Sequence, residues 1–395
     1  MNVPDEAPRA RIDSVDILRG LVMILMALDH VRDYFGAAGI NPTDPATTTV
    51  PLYFTRWITH LCAPVFFLLT GTGAYLALQR RSRSQLSRFL FTRGLWLIFL
   101  ELVLLRGFGW QFNFDYRVTM LTVLWALGWA MILLTVLVYL PAWAVAAVGV
   151  AMIATHNFCD GIQPASLGAL APLWNILHAP GAILNDSKHV VFVAYPLVPW
   201  VGVTAAGFGL GQVFGWNSER RRAFLIRLGV VLTVAFVLIR ATNVYGDAVP
   251  WSKQKSPLLT VLSFLNTNKY PPSLLFLLMT LGPALMILWA VDGKAPGLVR
   301  PAWVFGKVPL FYYILHVALI HLLAVLVCYV RYGEVHWMFE SNRLDQFPVT
   351  QPPGWSASLP IVYAIWLGVV VALYPLCRWF FGLKQRRRDW WLSYL

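Results

Sequence analysis

The stretch "GLVMILMALDHVRDYF", residues 20–35, decides the fold. From Gly20 to Leu28 it carries nothing polar; Asp29, His30, Arg32 and Asp33 then follow within one turn and a half. A run this apolar reads as the core of a bilayer-spanning helix, here over 15–36. An adjacent carboxylate and imidazole at its end are costly in that setting, and such residues mark a site or a pathway.

The rest of the chain repeats the apolar pattern. Of its 395 residues 58% are hydrophobic and only 12% charged, about half the charged fraction of a soluble domain. Ten spans are expected, over 15–36, 53–78, 88–106, 119–139, 141–156, 195–215, 223–241, 273–292, 303–330 and 359–381. The fourth and fifth are divided only by a tight turn at Pro141. The expected fold is thus all-α, a polytopic transmembrane helix bundle forming a single domain over 1–395. The net charge of +13 does not indicate nucleic acid, because its basic residues cluster between apolar spans as topology signals. With the N-terminus in the cytoplasm, 20 of the 31 Lys and Arg residues fall on that side and 11 on the other. Both termini are therefore expected to be cytoplasmic, with the long loops 37–52, 157–194, 242–272 and 331–359 facing outward. Arg9 and Arg11 ahead of the first run imitate a signal peptide, but Asp29 and His30 within it favour an uncleaved span.

The four cysteines, at 62, 159, 328 and 377, form no CxxC pair, so neither a disulfide framework nor a thiolate metal site is supported. No metal is expected. "GFGLG" (207–211) and "GTG" (71–73) lie within spans, and close helix packing by small residues explains them better than a nucleotide loop.

Depth along the first span follows from a rise of about 1.5 Å per residue. His30 lies 11 positions beyond Arg19, roughly 16 Å further along the axis and only about 20° around it. Asp16 shares that stripe. In the second span Arg56 and His60, four apart, share a face. His316 and His321 in the ninth span diverge by about 140°, which argues against a four-histidine metal site. For His321 an interhelical hydrogen bond is the expectation. Glu101 lies deep in the third span, where pairing with Arg106 or Arg117 is the plainer reading. His30 is different, since it adjoins a carboxylate and shares a face with a cation at the cytoplasmic mouth.

This layout permits acyl transfer across the bilayer. A cytoplasmic thioester such as acetyl-CoA would bring an anionic nucleotide to Arg19 and its neighbours. Its acyl end would reach His30, acting as general base or as acyl-carrying nucleophile. A carboxylate such as Asp29 would hold the tautomer, although adjacent helical residues diverge by about 100° and Asp29 can face elsewhere. The alternative is a proton-coupled secondary transporter using His30, His60 and Glu101 as a relay.

Five stretches carry a resemblance. They are "SVDILRGLVMILMALDHVRDYF" (14–35), "FTRWITHLCAPVFFLLTGTGAYL" (54–76), "YPLVPWVGVTAAGFGLG" (195–211), "FLNTNKYPPSLLFLLMTLGPAL" (264–285) and "FGKVPLFYYILHVALIH" (305–321). Together they resemble the bacterial branch of the heparan-α-glucosaminide N-acetyltransferase-like membrane family, with "KYPPS" (269–273) the most specific run. The resemblance implies a multispan acetyltransferase of the bacterial inner membrane, with acetyl-CoA as acyl donor and a sugar of an outer-side envelope glycan as acceptor. Membrane lipids would surround it, and a homodimer is compatible with it. It places Asp16 and Arg19 at the donor entrance and His30 at the reaction centre, with Arg56, His60, Lys269 and His316 nearby. Joined to the layout above, the expected catalytic set is His30, Asp29, His60 and His316, the donor-binding set Asp16, Arg19 and Arg56, and the acceptor-binding pair Glu101 and Lys269. The lysosomal branch keeps its catalytic histidine in the loop after the first span. Loop 37–52 has none here, so the role falls to His30 or another outer-half histidine.

Overall fold

The computed structural model describes residues 12–395 except 38, 45–46, 295–296, 342 and 388, so Arg9 and Arg11 lie outside the described residues. The chain runs through α1 (Asp13–Phe35), α2 (Val50–Thr59), α3 (Cys62–Leu78) and α4 (Arg83–Phe99), which continues as a π-helix over Leu100–Trp110. Then come β1 (Val118–Leu121), α5 (Val123–Leu137), α6 (Ala142–Thr155), α7 (Ala171–Leu177), β2 (Gly181–Asn185) and β3 (Val190–Val193). The remainder is α8 (Leu197–Leu210), α9 (Ser218–Thr242), α10 (Pro257–Leu265), α11 (Leu274–Val291), α12 (Arg300–Lys307), α13 (Pro309–Tyr332) and α14 (Leu359–Arg386).

Among the described residues, seven helical stretches are long and apolar enough to cross a membrane: Val50–Leu78, Ala142–Cys159, Leu197–Gly215, Ser218–Thr242, Leu274–Val291, Pro309–Tyr332 and Leu359–Arg386. Three expected spans fall outside that set. The first, α1, carries charged residues along its length, Arg83–Trp110 bears Arg93, Glu101 and Arg106, and α5 has only 15 residues. All three nevertheless pack within the bundle, α1 against α12 and α13, and α4 against α5.

The expected spans need four corrections. The stretch 53–78 is two helices, broken at His60–Leu61 just ahead of Pro64, whose missing N–H suits the first turn of α3. The stretch 303–330 is also two, because Val308 precedes Pro309 and takes a non-helical conformation (φ −132°, ψ 49°). The fourth span does not start at 119, since Val118–Leu121 is extended. Finally, the fold is not purely α. A three-stranded sheet of order β1-β3-β2 joins the segment ahead of α5 to the loop 157–194, β1 parallel and β2 antiparallel to β3. Val118 and Thr119 are β-branched and pair with Val190 and Val191, a context that favours strand over helix. The turn at Pro141 between α5 and α6 is as expected.

Backbone-level contact sets the helix spacing. A Cβ on Gly71 would lie 1.9 Å from the Thr204 carbonyl oxygen, and one on Gly207 2.1 Å from that of Leu68. The "GTG" and "GFGLG" runs are therefore the seam between α3 and α8, as small-residue packing predicts. Near the start of α1 the approach is closer still, with 1.6 Å from a Gly20 Cβ to the Ala302 oxygen and 1.8 Å from a Gly306 Cβ to that of Asp16. This pins α1 against α12.

Candidate active site

Three cavities line up along α1. We call the end of the bundle where α1 begins the near end, and the other the far end. At the far end a chamber of about 1040 Å³ is lined by Asp29, His30, Arg32, Asp33, Arg56, His60 and Lys269 among others. A slot of about 310 Å³ follows and shares Val123 and Tyr313 with the chamber. At the near end a vestibule of about 1070 Å³ shares Arg19 and Gly73 with the slot. The spaces thus adjoin from Arg19 to His30, the stripe that helical geometry placed on one face of α1.

The chamber's charges are mutually bonded. Arg32 reaches Asp29 at 2.8 Å and Asp33 at 2.5 Å, while Asp29 also receives Arg56 and, at 3.0 Å, the Thr59 hydroxyl. Asp29 is therefore committed to arginines and does not touch His30. The partner of His30 is His316, with Nδ1 of the first 2.8 Å from Nε2 of the second. Nδ1 of His316 in turn lies 2.9 Å from the Tyr312 carbonyl.

That chain fixes the tautomers of a neutral pair. A carbonyl only accepts, so His316 Nδ1 carries the hydrogen and its Nε2 the lone pair. His30 Nδ1 must then donate, leaving His30 Nε2 as an unprotonated nitrogen with no hydrogen-bond partner among the described residues. The His30 ring stands edge-on to Trp110 at 4.7 Å and to Tyr313 at 6.0 Å between centroids. An imidazole held this way, with one basic nitrogen in a polar chamber, suits proton abstraction or nucleophilic attack.

The other expected site residues divide by location. His60 is buried against Phe276, with a ring nitrogen left unbonded, and Lys269 stands 5.1 Å over the Tyr270 ring; both line the chamber. Arg56, expected near His30 yet assigned to donor binding with Asp16 and Arg19, lies at the far end, because α2 sits there beside Asp29; that position is next to His30 and away from the Arg19 mouth. Asp16 and Arg19 do meet, at 2.8 Å, in a buried network with Lys307, which reaches Asp16 at 2.6 Å and Asp13 at 2.9 Å. Glu101 is apart from the chamber and pairs with neither Arg106 nor Arg117. Its carboxylate accepts the backbone N–H groups of Thr122, Leu124 and Trp125 at 2.5–2.9 Å, capping α5 from another helix. Arg106 donates to the Val118 carbonyl. His321, as expected, bridges segments, lying 2.8 Å from the Gly109 and Met338 carbonyls.

Tyr313, Trp110, Tyr195 and Tyr270 also line the chamber and were not singled out from the sequence. Tyr313 was legible, three residues before His316 on one helix face. The others come from segments whose return to the site no local pattern announces.

Seven helices long and apolar enough to cross a membrane, packed around a charged chamber, mark an integral membrane protein. A family model described as heparan-alpha-glucosaminide N-acetyltransferase, catalytic, matches residues 11–245, more than half of the chain. The chain belongs to that family, and membership implies acyltransferase activity. The match includes Arg19, His30, Arg56 and His60, while Lys269 and His316 lie beyond it. No curated protein matches the chain.

Proposed function

We propose that the protein is an acetyltransferase of the bacterial inner membrane that takes acetyl-CoA from the cytoplasm and acetylates a hydroxyl or amine of an envelope sugar on the outer side. The observation that carries this reading is the free Nε2 of His30, held by the His316–Tyr312 chain at the far end of a run of adjoining cavities. The positive-inside bias puts the near end in the cytoplasm and supports ten spans with both termini inside.

The vestibule suits the donor. Arg19, Arg80, Arg81, Arg221 and Lys294 line it against Asp13, Asp16 and Asp292, a cationic surplus matched to phosphates. The narrower, largely apolar slot suits an extended thioester arm. In the chamber His30 Nε2 takes the proton of the acceptor hydroxyl or amine as its heteroatom attacks the thioester carbonyl. The resulting oxyanion would find Lys269 among its neighbours, in surroundings of low dielectric where a fixed cation counts most. Collapse breaks the C–S bond, and the proton held on His30 passes to the departing thiolate. The transporter alternative loses support because Glu101, its proposed relay carboxylate, is engaged by three backbone N–H groups outside the chamber.

The test is acetyl-CoA binding to the purified chain, followed by transfer to sugar acceptors and intact mass for an acyl adduct. Binding that is lost when Arg19 and Arg80 are neutralised, with turnover lost on His30→Ala, is the expected result. A chain with no affinity for acetyl-CoA would end the acetyltransferase reading.

A further inference from the structure

A second cluster lies away from α1. His156 ends α6, Asp160 follows the short 3₁₀ turn His156–Cys159, and His178 comes directly after α7. One potential ligand atom from each lies within 4.8 Å of the other two. His178 Nε2 is 3.2 Å from Asp160 Oδ1, and the His156 and His178 rings are 5.6 Å apart between centroids. We propose that His156, Asp160 and His178 form a binding site for one divalent transition-metal ion of the zinc class.

Three observations support the site. The first is His156 itself, which is 4% exposed with neither ring nitrogen in a well-formed hydrogen bond among the described residues. The Pro272 carbonyl is near the ring but outside hydrogen-bond geometry. Burying an imidazole with, at best, one poorly aligned carbonyl beside it costs free energy that a simple His178–Asp160 pair does nothing to recover. A metal ion placed among the three groups would supply the missing partner.

The second is spacing. A tetrahedral ion with bonds of about 2.0–2.2 Å holds its ligand atoms about 3.3–3.6 Å apart. The 3.2 Å between His178 and Asp160 is close to that edge, and the His156 ligand atom, within 4.8 Å of the other two, would have to move inward by up to about 1.5 Å to complete it. Two imidazoles and one carboxylate suit zinc and its borderline neighbours better than calcium or magnesium.

The third is the surrounding shell. Asn157 donates to Asp160 Oδ2 at 2.8 Å, turning Oδ1 toward the histidines, and accepts the Leu274 N–H at 2.9 Å. Ligand carboxylates in metal sites are held by such outer bonds. Leu274 opens α11 immediately after the "KYPPS" run that brings Lys269 and Tyr270 to the chamber. The metal would therefore tie α6 and α7 to the start of α11 and steady one wall of the chamber, without touching the reacting groups.

The experiment uses the full chain purified in detergent, stripped with a chelator, and titrated with Zn²⁺ or Co²⁺ alone. The expected result is about one zinc per chain by elemental analysis, a melting temperature raised by Zn²⁺, and the visible absorption of tetrahedral Co²⁺. Asp160→Asn keeps the Asn157 contact and the shape but removes the anionic ligand. It should weaken zinc binding at least about tenfold and abolish the thermal shift. His178→Gln carries the same comparison if Asp160→Asn does not give a monodisperse protein. A wild-type chain that takes up no zinc, or zinc held equally by wild type and variants, overturns the site. None of these readouts uses acetyl transfer, so they stand apart from the catalytic reading.

Discussion

The two ends of α1 hold similar residues in opposite conditions. At the near end Asp13, Asp16, Arg19 and Lys307 are interlocked, and Gly20 and Gly306 bring the two backbones into contact around them. At the far end Asp29, Asp33, Arg32 and Arg56 are equally well paired, but they face a large chamber, and the histidine among them keeps one nitrogen unbonded. Buried charge alone therefore does not distinguish a clamp from a site, since at both ends the carboxylates of α1 are paired with cations. The distinction lies in what is left unbonded, and in whether space has been left beside it. Changes at His30, Gly20, His316 and Glu101, with His60 as a comparison, would break or sharpen that contrast.

The largest effect is expected from His30→Ala. Removing a general base should lower transfer by about 10²–10⁴-fold while the melting temperature stays close to wild type, because the ion pairs around it remain. His60→Ala in the same assay should leave more activity, since no fixed bond orients His60 toward the acceptor. Full turnover in His30→Ala would move the catalytic role to another histidine and break the contrast at its centre.

At the near end the expected loss is of stability, not chemistry. Gly20→Val places atoms where even a Cβ would sit 1.6 Å from the Ala302 carbonyl oxygen. Prising α1 from α12 should cost about 1–3 kcal/mol or more, read as a lower melting temperature in detergent. An unchanged melting temperature would mean that this seam is not the clamp.

His316 links the two ends of the contrast, because it is fully buried yet hydrogen-bonded to His30. His316→Phe removes the acceptor that holds His30 Nδ1–H and frees the ring to turn over. Turnover should fall on the order of 10–100-fold, with KM for acetyl-CoA little changed. His316→Gln offers a carbonyl oxygen at a similar reach and should retain more turnover than His316→Phe. Equal losses in both variants would make His316 a packing residue.

Much of this was legible in advance. The Arg19–His30 stripe, the divergence of His316 from His321 and the glycine seams all follow from period and residue size, which are local properties of one helix. What escaped depends on chain segments meeting. His316 is 286 positions from His30, so the tautomer-fixing bond leaves no trace in either span, and the conspicuous neighbour, Asp29, drew the attention instead. The breaks at His60 and Val308 were visible only as Pro64 and Pro309, which an apolar count passes over. The His156–Asp160–His178 cluster straddles an apolar helix end and a loop, and only the i, i+4 spacing of the first two hinted at it.

Glu101 was the most misleading residue, and it gives the last test. From sequence it is a deep carboxylate awaiting a proton or an arginine. In the bundle it closes the N-terminus of α5, where the Thr122 side chain does not cap the helix and the orphaned N–H groups need an acceptor. Glu101→Gln keeps one accepting oxygen but gives up the second and the negative charge beside the helix dipole. The expected cost is about 0.5–2 kcal/mol of stability, with acetyl-CoA affinity and turnover per folded molecule unchanged. The opposite pattern, an intact melting temperature with activity abolished, would return Glu101 to the chemistry. It would also revive proton-coupled transport, because a capping carboxylate has no reason to titrate during turnover whereas a relay must.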